Sequence, residues 1–184
     1  MTTALTLLFA ASLLAGPAIA TPAEENSVTD HAHDFDFLVG KWRVHHWRLK
    51  DRLAGSREWI EFEGTSQLWM TMDGHGTVDD NYIGLPGGPY RAVGIRGYDP
   101  STQTWAIWWL DARNPHKIEP PVFGNFNNGV GIFEGDDTFN SKPIKVRFTW
   151  SRITPNSAHW EQAFSPDGGQ SWETNWRMDL TKVE

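Results

Sequence analysis

The fold of this chain is decided by the stretch His33-Asp34-Phe35-Asp36-Phe37-Leu38-Val39-Gly40-Lys41-Trp42. It ends in Gly-x-Trp, where the first strand-like alternation of the sequence begins. The glycine lets two backbone segments pass close together, and the tryptophan after it is large enough to plug one end of a barrel. The stretch therefore predicts an all-β protein, a closed antiparallel up-and-down barrel of about 8–10 strands.

The remaining sequence contains about ten short strand patterns separated by hairpin-length turns. From Trp42 onward the residues alternate, so that Trp42, Val44 and His46 share the inner face. Asn128-Gly129 is a strong signal for a tight hairpin. No amphipathic run is long enough for a helix of more than a turn or two. This spacing is typical of a barrel or a sandwich, and the Gly-x-Trp motif favours the barrel.

Gly40, Lys41 and Trp42 at the start of such a domain resemble the opening motif of the lipocalin and fatty-acid-binding-protein superfamily, the calycins. The run over 34–42, with Trp-Glu-Gln-Ala-Phe-Ser-Pro-Asp-Gly-Gly over 160–169, resembles an uncharacterised family of bacterial secreted lipocalin-like proteins. This resemblance implies the fold but no function, because that family has no agreed substrate. It also implies that an arginine of the last strand covers Trp42, and Arg177 is the position that matches.

The resemblance does not extend to haem. Some ten-stranded bacterial barrels of this superfamily bind haem through a histidine on the final strand, and the final strand pattern here, residues 172–180, contains none. The sequence also lacks the common hydrolase, nucleotide-binding and zinc-protease motifs. We therefore predict no cofactor and no metal site.

Residues 1–20 predict a signal peptide, because an apolar run from Leu5 to Ala15 precedes the cleavage pattern Ala18-Ile19-Ala20. Residues 21–32 predict a flexible segment, and residues 33–184 predict the lipocalin-like barrel domain. Export places the protein in the periplasm or outside the cell, with no membrane span after cleavage. The chain has no cysteine, so no disulfide supports the fold.

The composition of the chain limits the classes of molecule that it can bind. A formal net charge of −7 argues against nucleic acid, which requires a basic surface. The chain contains eleven tryptophans, and we expect some of them to line a cavity rather than only fill a core. The predicted partner is therefore a small hydrophobic or aromatic ligand, while the oligomeric state is not predicted.

A few polar side chains would orient such a ligand. Arg96 is the best candidate for binding an acidic head group, because a buried arginine needs a carboxylate or a bound acid. An internal pair of Arg96 with Asp111 or Glu161 fits the sequence equally well. The predicted ligand-binding residues are His46, Arg96, Trp109, Asp111, Arg147, Trp150, Glu161 and Trp176, with Asn175 as a further polar candidate.

Two strand patterns do not determine which of their two faces points into the barrel. In residues 57–63, an inward Phe62 leaves Glu61 and Glu63 in solvent, whereas the opposite choice buries both acids. In residues 104–111 both faces are apolar, and the pattern does not decide between them.

Residues 165–172, Ser-Pro-Asp-Gly-Gly-Gln-Ser-Trp, match the Asp-box pattern S-x-D-x-G-x-x-W. In this hairpin the aspartate turns back onto N–H groups of the loop, a glycine takes a special φ and the tryptophan packs beneath. Asp167, Gly169 and Trp172 are therefore predicted to be structural, together with Gly40, Trp42 and Arg177.

Three functions remain open at this point. The first is an exported binding protein that holds a small apolar or aromatic molecule in a tryptophan-rich cavity. The second is a cofactor-free lyase or isomerase in the same cavity, with His46 and Glu61, or Asp111 and Arg96, as its acid and base. The third is an accessory protein of the cell envelope whose barrel is filled.

Overall fold

The structure, a computed structural model, describes residues 31–183. Ten strands form a closed barrel in which each strand pairs antiparallel with its neighbours in the sequence and β1 also pairs with β10. This confirms the predicted all-β, closed up-and-down barrel. The strands are β1 (Gly40–Leu49), β2 (Trp59–Thr71), β3 (Gly76–Ile83), β4 (Tyr90–Asp99), β5 (Thr104–Asp111), β6 (Val122–Asn127), β7 (Val130–Phe139), β8 (Lys142–Thr154), β9 (Ser157–Ser165) and β10 (Glu173–Lys182).

Alternation along the strands places one set of side chains inside. On β1, Trp42, Val44 and His46 are buried, as the sequence predicts. On β2, Phe62 is buried whereas Glu61 and Glu63 are exposed, which decides the face that the sequence left open. On β5 the inner residues are Trp105, Ile107, Trp109 and Asp111, of which the first two are buried in the core.

The segment before β1 closes one end of the barrel. It contains two short 3-10 helices, His31–His33 and Asp36–Leu38. Phe35, between them, is 0% exposed and contacts the rings of Trp105, Phe126, Phe133 and Trp150. Buried aromatic clusters of this kind stabilise through area and edge-to-face contact. The predicted flexible segment ended at residue 32, but His31 and Ala32 already belong to the first helix of this end.

Trp42 fixes this segment to the barrel. Its side chain is 1% exposed, and its indole N–H donates to the Leu38 carbonyl oxygen at 2.7 Å. Gly40, two residues earlier, has a φ of +120°, a conformation that favours glycine. The chain therefore turns sharply from the closing segment into β1, as the Gly-x-Trp motif requires.

The cation that covers Trp42 is not the predicted one. Lys182 pairs with Trp42 in the β1–β10 register, and its Nζ lies 5.3 Å from the centroid of the indole ring. Arg177 faces the outside of the barrel, where its guanidinium lies 4.7 Å from the centroid of the Trp59 ring. The prediction for Arg177 is therefore wrong, because Trp176 faces the interior and the next residue of a strand faces outward.

The Asp-box hairpin lies between β9 and β10. Asp167 Oδ1 accepts the Ser171 backbone N–H at 2.9 Å, and the Trp172 indole N–H donates to the Gly169 carbonyl oxygen at 3.0 Å. Hydrogen bonds from Ser171 and Ser165 lower the pKa of Asp167 to about 2. Gly169 has a φ of +99°. These contacts have the form of the structural hairpin that the sequence predicts.

Two expectations concern residues outside the described range. The predicted signal peptide, residues 1–20, and most of the predicted flexible segment lie before residue 31. Export therefore stays a prediction. Between residues 31 and 183, no helix has the length and apolar character needed to cross a membrane.

The closing segment provides a test of this fold. Replacing Phe35 with Ala should lower the free energy of unfolding by about 3–5 kcal/mol, because it leaves a hole among the surrounding rings. Phe123→Ala is the matched control, since Phe123 on β6 is 53% exposed, and it should cost less than about 0.5 kcal/mol. Urea unfolding followed by circular dichroism measures both, and equal small losses would contradict the placement of Phe35.

Candidate functional site

A cavity of about 260 Å³ lies inside the barrel. It extends from Trp42 at the closed end to residues of the opposite end such as Arg52, Glu119 and Asp137. Five of the eleven tryptophans of the chain line it with inward-facing side chains: Trp42, Trp109, Trp150, Trp160 and Trp176. The interior is therefore an aromatic-walled space of the kind that holds small apolar molecules.

Most of the predicted ligand-binding residues meet in this cavity. Six of the eight line its wall: His46, Arg96, Trp109, Asp111, Trp150 and Trp176. The further candidate Asn175 is fully buried and does not line the cavity. It accepts a hydrogen bond at 2.8 Å from Gln162 Nε2, and Gln162 does line the cavity.

Arg147 and Glu161 lie outside the cavity. On β8 the inward residues are Val146, Phe148 and Trp150, so Arg147 points outward, where its Nε lies 2.6 Å from Glu134 Oε1. On β9, Glu161 lies in a groove on the outer surface and forms an ion pair at 3.1 Å with Arg177. The strand alternation that places Trp150 and Trp160 inside excludes both charged neighbours.

Arg96 is paired inside the protein. Its Nη1 lies 2.5 Å from Asp79 Oδ2, and both side chains are buried. Asp79 also accepts the Gly94 backbone N–H at 2.8 Å and a hydrogen bond from Asn81. The sequence offered an internal pair as one alternative, but with Asp111 or Glu161 as the partner. Because Asp79 compensates its charge, Arg96 is a poor anchor for an acidic head group.

His46 is the most unusual polar residue of the cavity. It is 1% exposed, lies parallel to the Phe62 ring at 4.7 Å, and accepts the Trp176 indole N–H on Nδ1 at 3.1 Å. Burial, with a smaller contribution from repulsion by His45, lowers the pKa of His46 to about 3. The ring is therefore neutral near pH 7, and since Nδ1 accepts a hydrogen bond, its proton is on Nε2.

The Nε2–H group of His46 has no hydrogen-bond partner in the described chain. Gly64 on β2 makes room for it, because a Cβ at that position would lie 2.5 Å from Nε2. Arg96 Nε and Trp150 Nε1 are also buried without a partner. All three are donors on residues that line the cavity. A buried donor without an acceptor is costly. Each of these three nitrogen atoms is covered by protein atoms, so none of them is exposed to the cavity.

The acid–base pairs predicted from the sequence do not form. Glu61 is exposed on the outer face of β2, so it does not share the cavity with His46. Asp111 lies at the open end, where its Oδ2 is 2.5 Å from Arg113 Nη2, while Arg96 is occupied by Asp79. Within residues 31–183 no group of three or more histidine, aspartate or glutamate side chains is arranged to hold a metal ion.

Several cavity residues were missed in the sequence. Arg48 continues the alternation of Trp42, Val44 and His46, so this signal was present. Arg52 lies in the turn after β1, where no periodicity predicts its direction. Ser66 and Trp160 also line the cavity. Asp79 is the partner of Arg96 only because of the β3–β4 register, which no local sequence pattern shows.

The Arg96–Asp79 pair can be tested by removing one partner. Asp79→Ala leaves a buried guanidinium without its counterion and should lower the free energy of unfolding by about 3–5 kcal/mol. The adjacent residue supplies the control: Asp80 forms an exposed ion pair with Arg91, and Asp80→Ala should cost less than about 1 kcal/mol. Chemical denaturation measures the free energy of unfolding of both variants. If the Asp79→Ala protein is as stable as the Asp80→Ala protein, the buried ion pair between Arg96 and Asp79 is contradicted.

A second prediction concerns pH. The folded pKa of His46, about 3, lies below the ordinary value of 6.5, so between these values the unfolded chain binds a proton that the folded protein does not. Stability from this residue is therefore complete above pH 6.5 and falls with decreasing pH by up to about 1.4 kcal/mol per pH unit. His46→Gln, which does not titrate, should lose less stability across that window in pH-dependent urea unfolding.

His45→Gln is the control for this pH effect. The hydrogen bond to Glu63 raises the pKa of His45, so its contribution is present below pH 6.5 and lost as pH rises through the folded value. This variant should keep the loss of stability on the acid side. An NMR titration that finds the His46 ring protonated near pH 6 would contradict the assignment even if no variant folds.

Comparison with known proteins supports the fold. The sequence matches no protein-family model, and no curated protein matches it. The structure is similar to that of the S-type phycobiliprotein lyase CPES from Guillardia theta, with a TM-score of 0.58 and 9% sequence identity, covering 85% of this chain and 94% of that chain. Membership of the bacterial secreted family stays a prediction. The likeness is one of fold, that of a closed ten-stranded antiparallel barrel.

Proposed function

We propose that this protein binds a small apolar or aromatic molecule in the cavity of its barrel. The observation that carries the proposal is the cavity inside the barrel, whose wall combines five inward-facing tryptophans with a few polar residues such as His46 and Ser66. Apolar walls with a few converging polar groups are typical of small-molecule sites.

A filled barrel with an accessory role fits these observations less well. Filling the interior with side chains would leave no space of this volume, and tightly packed cores leave few voids larger than a water molecule. Ser66 on β2 is partly accessible although it faces the interior between the buried residues Gly64 and Leu68. Its accessibility indicates a hollow at that level of the barrel.

Catalysis in the cavity has weaker support. A lyase or isomerase without a cofactor needs an acid and a base close to the substrate. In His46 the Trp176 indole N–H occupies Nδ1 and protein atoms cover Nε2, while Asp79 is occupied by Arg96, Asn81 and Gly94. The phycobiliprotein lyase shares the fold of this chain, and at 9% identity its reaction does not transfer.

The site of action follows from the predicted signal peptide over residues 1–20. We propose that the mature protein binds its ligand in the periplasm or outside the cell. No contact described above needs a cofactor, and a barrel without cysteines needs no particular redox environment.

Binding can be measured with N-phenyl-1-naphthylamine, a neutral aromatic probe whose fluorescence rises in apolar surroundings. We expect saturable binding of one probe per chain, with quenching of tryptophan emission by energy transfer. Ser66→Phe should weaken the affinity by about tenfold or more, equivalent to about 1.4 kcal/mol, because the added ring occupies the hollow.

Arg43→Phe is the matched control, because Arg43 is exposed on the outer face of β1 and does not line the cavity, so its added ring enters solvent. Its affinity for the probe should equal that of the unaltered protein, and circular dichroism should show both variants folded. The proposal fails if the unaltered protein binds no probe. It also fails if folded Ser66→Phe protein binds the probe as tightly as the Arg43→Phe protein.

A further inference from the structure

Two arginines lie at the open end of the cavity and are called here the mouth arginines, Arg48 and Arg52. Arg48 is on β1, and its guanidinium carbon lies 5.1 Å from the centroid of the Trp176 ring. Arg52 follows β1, and its guanidinium carbon lies 4.6 Å from the Phe139 ring centroid and 5.4 Å from that of Phe164. Both line the cavity and are partly buried. Aromatic rings therefore hold both guanidinium groups in place.

Neither mouth arginine forms an ion pair or a side-chain hydrogen bond with another residue between 31 and 183. Such positions are unusual, because a partly desolvated guanidinium normally pairs with a carboxylate. Burial, together with repulsion from Arg48, lowers the pKa of Arg52 to about 10. The two cations thus lie close enough to destabilise each other, and an anion between them would relieve this repulsion.

The acids around the cavity mouth are mostly engaged elsewhere. Asp111 is bound by Arg113 through two oxygens. Asp136 is exposed and lies 2.7 Å from Lys145 Nζ, and Asp137 accepts the backbone N–H of Thr138 at 2.6 Å. Glu119, exposed at the rim, is the remaining acid; its charge attracts Arg52, but the two side chains form no ion pair. The half-buried groups that lie over the rings of Trp176, Phe139 and Phe164 are the guanidinium groups of the mouth arginines.

Resting on the proposed function, we propose that the ligand is an organic anion, whose apolar or aromatic body lies in the cavity and whose acidic group is bound by the mouth arginines. Arginine binds carboxylates and related oxyanions through paired N–H groups. The deep cavity is unsuited to a second charge, because its arginine is already paired with Asp79 and its histidine is neutral. The charge of the ligand therefore belongs at the mouth.

Two probes that differ by a single acidic group test this. One is 1-anilinonaphthalene-8-sulfonate, and the other is N-phenyl-1-naphthylamine, which has the same ring system without the sulfonate. The unaltered protein should bind the anionic probe at least about tenfold more tightly than the neutral one. Raising the salt concentration should reduce this preference, because the mouth is accessible to ions.

Substitutions of the mouth arginines test whether these residues cause the preference for the anionic probe. In the double variant Arg48→Gln with Arg52→Gln, the affinity for the anionic probe should fall to within about threefold of that for the neutral probe, which should still bind. Arg43→Gln is the matched control, since Arg43 is exposed on the outer face of β1. It should leave the preference unchanged. Circular dichroism and a cooperative urea transition show whether each variant is folded, and the two single substitutions replace the double one if it does not fold.

The outcomes separate the two proposals. Equal affinity of the unaltered protein for both probes overturns the inference and leaves the proposed function intact. A preference that survives in the folded double variant, or disappears in Arg43→Gln, also overturns the inference, because the anion then binds elsewhere. Failure of both probes to bind overturns the proposed function and this inference with it.

Discussion

The hydrogen bond from the Trp42 indole to the Leu38 carbonyl oxygen, at 2.7 Å, holds the segment that seals one end of the barrel. This segment encloses the interior at that end, because it places Phe35 among the rings of Trp105, Phe126, Phe133 and Trp150. An enclosed apolar space has a lower effective dielectric than water, which strengthens each polar interaction inside it. The barrel is therefore a cup with one closed end and a polar rim.

The polar groups of this cup are distributed by depth. The buried charge of Arg96 is balanced by Asp79, so the deep interior carries no uncompensated charge. Its remaining polar capacity consists of donors, with the Nε2–H of His46 placed by the Trp176 indole and by the space above Gly64. Among the cavity-lining residues between 31 and 183, the cations without a carboxylate partner are Arg48 and Arg52, at the mouth. This arrangement suits a molecule that is apolar along its length and acidic at one end.

The fold was predictable from the sequence, because it follows from short-range signals. Gly40 and Trp42 mark the closed end, and strand alternation places His46 and Trp150 inside. The same alternation places Arg147 and Arg177 on the outer surface and Arg48 in the interior, because Trp150, Trp176 and Trp42 mark the inner faces of their strands. The partner of Arg96 was not predictable, since Asp79 faces it only through the β3–β4 register. Arg52 lies in a turn, where no repeating pattern sets its direction.

The proposed function requires that the cavity hold a molecule in the living cell. Native mass spectrometry of the protein, purified without denaturation from the organism that produces it, measures this most directly. We expect a mass excess corresponding to one small organic acid per chain, released when the barrel unfolds. A protein that carries only the mass of its polypeptide, and that acquires no excess when incubated with an extract of small molecules from the same cells, would contradict the account.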